Sequence, residues 1–236
     1  MLIQIREFKD FLKYESKFGM RVLLFDLLMI NKLYFRDVYV KKLLKFAQYN
    51  QYKFTFFIRS YDLDKKTKLL KKLQKQGHEI ACHGHSHELY GNKSKNWLIK
   101  EINLSKKLFL SQGIDVHGFR SPFLSETKIM YSILEKLGFR YVSNRFNINS
   151  IDCQDTKFIH DELIYPSDWH GLIVEKFDIK TLVNEWRGKK GTLLLHPWIF
   201  LKHLNVFKTI LNSNNKDFRI IKNLGIKSLN ISFDLY

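Results

Sequence analysis

Short apolar runs alternate with stretches of helical periodicity along most of the chain. Runs that favour β-strands fall near residues 21–26, 53–58, 78–82, 114–119, 139–143, 163–165 and 192–196. Helical periodicity falls between them, near 37–49, 65–76, 95–112, 126–137, 178–186 and 200–212. Strands that alternate with helices predict a parallel sheet covered by helices, which is the α/β class.

Five junctions share one plan, in which a helical stretch ends at a glycine and a β-rich run follows. They are LQKQGHEIACH, LSQGIDVHGFR, EKLGFRYVS, RGKKGTLLLH and KNLGIKSLNIS. Glycine suits the left-handed position just past a helix end because it has no Cβ. Ser125 and Asp178 are predicted N-caps, and the weakly periodic region 144–162 is predicted to be a long surface excursion. About seven βα units favour a deformed or incomplete TIM-like (β/α) barrel over an open doubly wound sheet.

Length and hydrophobicity indicate one globular domain. A chain of 236 residues can bury one sizeable core, so we expect a single domain over 1–236. The longest apolar run, VLLFDLLMI, is far shorter than the roughly 20 residues of a membrane helix. The charged stretch MLIQIREFKDFLKYESKFG does not resemble a secretory signal, so we expect a cytoplasmic protein.

Charge and cysteine content add little to the functional prediction. The net charge of +17 would favour anionic partners such as nucleic acid. The lysines, however, fall at the spacing of solvated helix faces, and no nucleic-acid-binding motif accompanies them, so no nucleic-acid partner is expected. Cys82 and Cys153 form no CxxC pair, and both are interpreted as packing residues.

Polar residues stand at the carboxyl ends of four predicted strands. They are Asp26, a histidine cluster, Arg120 in FRSP and His196 in LLLHP. In (β/α) barrels this end of the strands carries the ligand site. Asp26 lies inside an apolar run, where an unpaired carboxylate is costly, so it needs a partner. The sequence therefore predicts one site at the mouth of the barrel.

The cluster GHEIACHGHSHEL holds four histidines. His83 and His87 are four residues apart, a spacing that lets both imidazoles reach one ion if the loop turns helically after the strand. His78 precedes the strand and is expected at the opposite end of the barrel. His85 is expected to point away from its neighbours, so both are interpreted as structural.

These motifs resemble those of the polysaccharide deacetylase family, the NodB homology domain of carbohydrate esterases. GHEIACHGHSHEL is preceded by FTFFIRS and followed by GFRSPF and LLLHPW, in the family's order, and the match covers about residues 21–200. The resemblance implies a deformed (β/α) barrel that removes N-acetyl groups from amino sugars with a divalent ion.

The resemblance also implies roles for individual residues. The metal-binding histidines fall on His83 and His87, with Zn²⁺ the expected ion. The general base falls on Asp26, and the arginine that steadies it falls on Arg120. The general acid falls on His196. The backbone N–H that helps bind the oxyanion falls on Phe123.

The chain departs from the family pattern at the third metal ligand. The family's aspartate follows the base directly or two positions later, and here those positions are Leu27 and Leu28. Either Asp26 moves onto the metal, or Asp62 or Asp64 replaces the missing ligand. The aspartate and tryptophan that tune the acid have only a loose counterpart in Asp168 and Trp169.

We therefore expect a metal-dependent hydrolase that removes an N-acetyl or similar acyl group from an amino-sugar substrate, with a role in surface polysaccharide biosynthesis. The main alternative is an inactive relative that binds carbohydrate or a protein partner at the barrel mouth, as the two leucines suggest. A nucleic-acid or anionic-surface binder rests on charge alone.

Overall fold

The computed structural model describes residues 33–146, 159–213 and 229–235. The strands are β1 (Thr55–Ile58), β2 (Glu79–Cys82), β3 (Gly118–Phe119), β4 (Tyr141–Phe146), β5 (Ile159–Leu163), β6 (Gly191–Leu195) and β7 (Leu229–Leu235). The α-helices are α1 (Leu33–Asn50), α2 (Leu63–Lys75), α3 (Lys95–Ser111), α4 (Lys128–Lys136), α5 (Ile179–Trp186), α6 (Pro197–Lys202) and α7 (Leu204–Ser213).

The seven strands form a closed barrel of parallel strands in chain order. β7 closes the barrel by pairing with β6 on one side and with β1 on the other. The pairing brings Leu195 opposite Phe233 and Ile58 opposite both Cys82 and Leu235. The carboxyl ends of these strands therefore lie at one level, which defines the mouth of the barrel.

The predicted (β/α) barrel is confirmed, although one strand was not predicted. Five predicted strands match β1 to β4 and β6, and the predicted strand near 21–26 lies outside the described residues. The strand predicted over 163–165 was misplaced, because β5 ends at Leu163. The prediction of a surface excursion over 144–162 was wrong at both ends, which belong to β4 and β5. β7 follows the fifth glycine junction and was not among the predicted strands. The helix predicted over 200–212 is two helices, α6 and α7.

The helix ends agree with the sequence in part. Gly77, Gly113 and Gly138 have φ angles of 75°, 72° and 75°, as the junction pattern predicts. Asp178 caps α5 by accepting a hydrogen bond from the Thr181 backbone N–H at 2.8 Å. The prediction for Ser125 was wrong. Its hydroxyl accepts a hydrogen bond from Gly91 N–H, while the neighbouring Thr127 caps α4.

Two apolar layers hold the barrel. The large one lies between strands and helices and includes the buried side chains of Phe54, Phe56, Phe200, Phe207 and Phe233. The small one fills the barrel interior and consists of Phe57, Ala81 and Tyr141. Cys82 is buried and its sulfur lies 3.1 Å from the Ser105 hydroxyl, in agreement with a packing role. Burial raises the pKa of this thiol to about 11.

The lysine-rich helix faces are largely solvated. On α1, Lys41, Lys42 and Lys45 are exposed beside the buried Leu43 and Leu44, as the spacing predicts. Across 33–146, 159–213 and 229–235, no helix combines the length and apolar character that crossing a bilayer requires.

Candidate active site

Four polar side chains meet at the mouth because each lies at the end of a barrel strand. His83 follows β2, Arg120 follows β3, His196 follows β6, and Asp234 lies near the end of β7. Backbone hydrogen bonds continue the barrel for one more residue, from His83 N–H to Ile58 O and from Arg120 N–H to Cys82 O, both at 2.9 Å. All four side chains are buried.

Arg120 lies at the centre of this group, and its side chain is fully buried. Its guanidinium donates to Asp234 Oδ1 at 2.8 Å, to Ser143 O at 2.9 Å, to Ser143 Oγ at 2.6 Å and to Ser232 Oγ at 2.9 Å. Its guanidinium carbon lies 3.9 Å from the centre of the Phe57 ring. The guanidinium of Arg120 therefore packs on the Phe57 ring inside the barrel, and its hydrogen bonds fix its orientation.

Asp161 extends the network below Arg120. The Ser143 hydroxyl that accepts from Arg120 donates in turn to Asp161, and the Thr192 hydroxyl donates to the same carboxylate at 2.6 Å. Burial raises the pKa of Asp161, against the effect of these hydrogen bonds. Asp161 therefore helps to position Arg120 through the Ser143 hydroxyl.

The His83 ring is oriented by the backbone of the next strand. Its Nδ1 lies 2.9 Å from Arg120 O. Because a carbonyl oxygen only accepts, Nδ1 carries the proton, and in the neutral ring the lone pair is on Nε2. Burial lowers the pKa of His83, and the Arg120 charge acts in the same direction while Asp234 opposes it. The ring is thus held in the neutral form that binds metals.

His87 lies close to His83, as the spacing predicts. The centres of the two rings are 5.2 Å apart. His87 has a positive φ of 54°, which is uncommon for a residue other than glycine. The chain turns sharply here, and this turn brings the second imidazole back towards the first.

Glu101 on α3 anchors the loop that carries these histidines. Its Oε1 accepts hydrogen bonds from the backbone N–H of His85 at 3.0 Å, from the N–H of Ser86 at 2.7 Å and from the Ser86 hydroxyl at 2.9 Å. The Tyr90 hydroxyl donates to the same oxygen at 3.4 Å. One buried carboxylate therefore fixes the path of the loop.

Asp168 and His196 form a buried pair on the other side of the mouth. Asp168 Oδ1 lies 2.7 Å from His196 Nδ1, and Oδ2 accepts from the His196 backbone N–H at 2.6 Å. Burial alone would lower the pKa of His196, but the charge and hydrogen bond of Asp168 raise it above the ordinary value. The Trp169 ring lies 5.8 Å from the imidazole, between ring centres. The loose sequence candidates Asp168 and Trp169 thus both lie beside His196.

Phe123 lies at the edge of the site, in a turn that follows β3. It has a φ of 57°, its side chain is 43% exposed, and its ring centre lies 4.8 Å from that of His87. The neighbouring Ser121 N–H is held by Asn144 Oδ1 at 2.9 Å. The Phe123 ring therefore lies against the loop that carries His87.

The other two histidines of the cluster have structural contacts. His78 lies before β2, where its Nδ1 accepts from Phe54 N–H at 3.1 Å, and burial with the charge of Lys53 lowers its pKa to about 4. His85 Nδ1 lies 2.9 Å from the Ser60 hydroxyl. Both positions agree with the structural interpretation from the sequence.

The residues present fit a divalent ion in part. His83 offers a neutral, oriented imidazole, and His87 lies within reach of the same point. Within the described ranges, no group of three or more His, Cys, Asp or Glu side chains is placed to hold an ion. The Asp64 carboxylate accepts from Gln112 Nε2 at 2.9 Å, on the outside of the barrel. Two imidazoles with water to complete the coordination remain a reasonable donor set for zinc.

Several sequence predictions fall on parts of the chain that the structure does not describe. Asp26, Leu27, Leu28 and Cys153 lie outside the described residues, as does the side chain of Asp62. Sequence reasoning in turn missed Asp234, Glu101 and Asp161. Only Asp234 had a signal, since it lies in the β-rich run after the fifth glycine junction.

The closed barrel of parallel strands, with a polar site at its mouth, places the chain in the class of (β/α)-barrel proteins. A family model described as polysaccharide deacetylase matches residues 14–142, more than half of the chain. The chain therefore belongs to the polysaccharide deacetylase family.

One curated relative is the peptidoglycan deacetylase of Helicobacter pylori. It is 26% identical over 176 residues, which are 70% of this chain and 58% of the relative. The chain thus spans less than two thirds of the length of the relative that it matches.

Solved structures share the fold. A wild-type pseudoenzyme of carbohydrate esterase family 4 from Bacillus anthracis has a TM-score of 0.59 at 12% identity, over 84% of this chain and 65% of that one. The family 4 domain of a xylanase from the hindgut metagenome of Trinervitermes trinervoides has a TM-score of 0.56 at 20% identity, over 80% and 87%. A family 4 acetyl xylan esterase from Clostridium thermocellum, in complex with cobalt, has a TM-score of 0.53 at 16% identity, over 81% and 88%.

Proposed function

We propose that this protein is a metal-dependent N-deacetylase that hydrolyses the acetamide, or a similar amide, of an amino sugar. The observation that carries the proposal is the arrangement of the mouth. The oriented His83 and the nearby His87 lie on one side, the Asp168–His196 pair lies on the other, and Arg120 lies between them.

His83 and His87 would hold the ion. A divalent ion at this position would lower the pKa of a water molecule and polarise the amide carbonyl. His83 would bind the ion through Nε2, because Nδ1 donates to Arg120 O. The hydrogen bond to that carbonyl keeps the ring in one orientation and one tautomer, which favours metal binding.

His196 would be the general acid. Amide hydrolysis releases an amine, which is a poor leaving group until it is protonated. Asp168 holds His196 Nδ1 and raises the pKa of the imidazole, which favours the protonated ring whose Nε2–H can donate to the leaving nitrogen. The N–H of Phe123, beside the histidine loop, would help bind the oxygen that gains negative charge.

The substrate would be a polymer or oligomer that contains an N-acylated amino sugar. The curated relative is named for peptidoglycan, which supports this class, and Phe123 provides an exposed aromatic surface at the mouth. A role in surface polysaccharide biosynthesis and a cytoplasmic location stay predictions from the sequence.

The test is release of free amine and acetate from N-acetylglucosamine oligomers and from peptidoglycan fragments. Purified protein loaded with zinc or cobalt should release both products in equal amounts. His196→Ala should abolish release, while His117→Ala, at the amino end of β3, should retain it. Full activity in His196→Ala would contradict the proposal.

A catalytically inactive carbohydrate-binding protein is the second candidate. Two observations favour it: leucine at 27 and 28, and a pseudoenzyme among the proteins that share the fold. This candidate predicts that the same oligomers bind without turnover. Deacetylation together with stoichiometric metal would exclude it.

A further inference from the structure

β7 brings polar side chains into the barrel. Along Leu229–Leu235, Ile231 and Phe233 pack in the outer apolar layer. The alternate residues Asn230, Ser232 and Asp234 are buried on the opposite, inward face. Asp234 is the last of the three and therefore lies at the mouth.

The position of Asp234 is fixed by Arg120. The ion pair joins Arg120 Nη1 and Asp234 Oδ1 at 2.8 Å, and both groups are buried. Asp234 also interacts electrostatically with His83 and with His196, the two histidines on either side of the mouth. In the described part of the chain, Asp234 Oδ2 forms no hydrogen bond, which leaves this oxygen able to accept one from water.

The protonation state of Asp234 suits a base. Burial would raise its pKa, but the charge of Arg120, which contacts the carboxylate, holds the pKa below the ordinary value. The group is therefore a carboxylate at neutral pH, and it needs the polarising effect of a nearby cation on water to take up a proton.

The sequence around Asp234 repeats the segment in which a base was predicted. Phe233-Asp234-Leu235 matches Phe25-Asp26-Leu27 residue for residue. The resemblance assigned the base to Asp26 and its stabilising arginine to Arg120. Among the residues that the structure describes, the carboxylate that contacts this arginine is Asp234.

We propose that Asp234 is the general base of the deacetylation, in the role that the sequence resemblance assigned to Asp26. This rests on the proposed function. Asp234 Oδ2 takes a proton from water as the water oxygen forms a bond to the acyl carbon and the carbonyl electron pair moves to oxygen. When that pair returns, the C–N bond breaks, and His196 Nε2–H protonates the nitrogen. The new carboxylic acid loses its proton to solvent, so the products are the carboxylate and the amine. Asp234 releases to solvent the proton that it took from water, and His196 is reprotonated from solvent, which regenerates the enzyme.

The experiment compares Asp234→Asn with Asn230→Ala, which removes another inward side chain of the same strand. Two quantities are measured for each zinc- or cobalt-loaded protein: kcat and KM for N-acetylglucosamine oligomers, and the affinity for cobalt alone. Asp234→Asn should lower kcat by about 100-fold or more with little change in KM. Its cobalt affinity should fall by about tenfold, since a nearby negative charge is lost. Asn230→Ala should change neither.

A second variant separates catalysis from structural support. Asp234→Ala removes the carboxylate and leaves room for a small acid, so added formate should restore part of kcat. A merely structural loss would not respond to formate. Formate that restores no activity to a folded Asp234→Ala protein would overturn the proposal.

The remaining outcomes are also decisive. If Asp234→Asn keeps at least half of the wild-type kcat while Asp26→Asn loses it, the role returns to Asp26. If the wild type deacetylates no substrate, the proposed function fails. The cobalt affinities then show whether the Asp234 carboxylate lies near the metal site. Weaker cobalt binding in Asp234→Asn, with no change in Asn230→Ala, would place the Asp234 charge at the metal site. Equal cobalt affinity in Asp234→Asn and Asn230→Ala, or no cobalt binding by the wild type, would overturn the assignment of Asp234 as the general base.

Discussion

Asp168 holds His196 through both carboxylate oxygens, one on the ring Nδ1 at 2.7 Å and one on the backbone N–H at 2.6 Å. The two residues come from segments after β5 and β6, so the pair also ties neighbouring parts of the mouth together. This double contact fixes which face and which nitrogen of the imidazole are presented to a substrate.

Asp168→Asn should lower kcat/KM by about 10² to 10⁴-fold, because it removes the charge that favours the protonated, correctly oriented imidazole. A general acid works while protonated, so activity falls as pH rises through the pKa of His196. Asp168 raises that pKa, and its loss should move the alkaline limb of the pH profile to lower pH. The measurement is kcat/KM against pH.

The control is Asp178→Asn, since asparagine caps a helix about as well as aspartate. It should leave the profile unchanged. An unshifted alkaline limb in Asp168→Asn would contradict the role of the pair. The raised pKa also means that His196 stabilises the fold fully below the ordinary pKa of histidine, and that this contribution is lost as pH rises through the raised value.

Arg120→Lys should inactivate and destabilise the protein. A lysine cannot reproduce the four hydrogen bonds of the planar guanidinium to Asp234, Ser143 and Ser232. Lysine keeps a positive charge beside Asp234, so the loss of stability comes from the unmet hydrogen bonds, and each unsatisfied buried group costs about 1–3 kcal/mol of unfolding free energy. Chemical denaturation measures the loss, with the exposed Arg140→Lys as control. A loss below about 1 kcal/mol, the range of surface pairs, would show that the network is not needed for the fold.

Glu101→Ala should weaken metal binding without touching a ligand. The substitution removes the acceptor of His85 N–H, Ser86 N–H and the Ser86 hydroxyl, and each unsatisfied buried group costs about 1–3 kcal/mol. The freed loop should reduce cobalt affinity by about tenfold or more. Titration with cobalt measures this, and the exposed Glu135→Ala serves as the control. Equal affinity in all three proteins would mean that the loop keeps its shape without Glu101.

Gly84→Ala and Gly113→Ala separate steric room from backbone conformation. Both glycines have a φ of 72°. A Cβ at Gly84 would overlap the Tyr90 hydroxyl, whereas nothing lies within 4 Å of a Cβ at Gly113. Gly113→Ala should therefore cost about 1 kcal/mol for the left-handed conformation, and Gly84→Ala clearly more. Thermal unfolding of both variants provides the comparison, and equal midpoints would contradict the predicted clash.

The sequence allowed the barrel and most of its mouth to be predicted, because strand-end positions follow from periodicity alone. Arg120, His83, His87 and His196 were all found in this way, although contacts between them depend on barrel closure. Asp234 was missed because β7 was not predicted as a strand, and alternation along the segment would not by itself tell which face is inside the barrel. Both faces of β7 are buried, since its apolar face packs in the outer layer and its polar face lines the barrel.

Hydrogen-bonded pairs of residues that are distant in the chain could not be predicted from the sequence either. Asp168 and His196 are 28 residues apart, and Glu101 is 16 residues from the loop position that it binds. Such pairs depend on how βα units close against each other, and no local pattern specifies that. The tryptophan after Asp168 was a weak signal that could be judged only once its ring was seen beside the imidazole.

The central claim, a metal-dependent site at the barrel mouth, is tested most directly by the metal content of the purified protein after reloading with zinc. Mass spectrometry should find about one ion per chain in the wild type and in His85→Ala, and little in His83→Ala. A wild-type protein that retains no zinc, or a His83→Ala protein that retains as much as the wild type, would contradict the account.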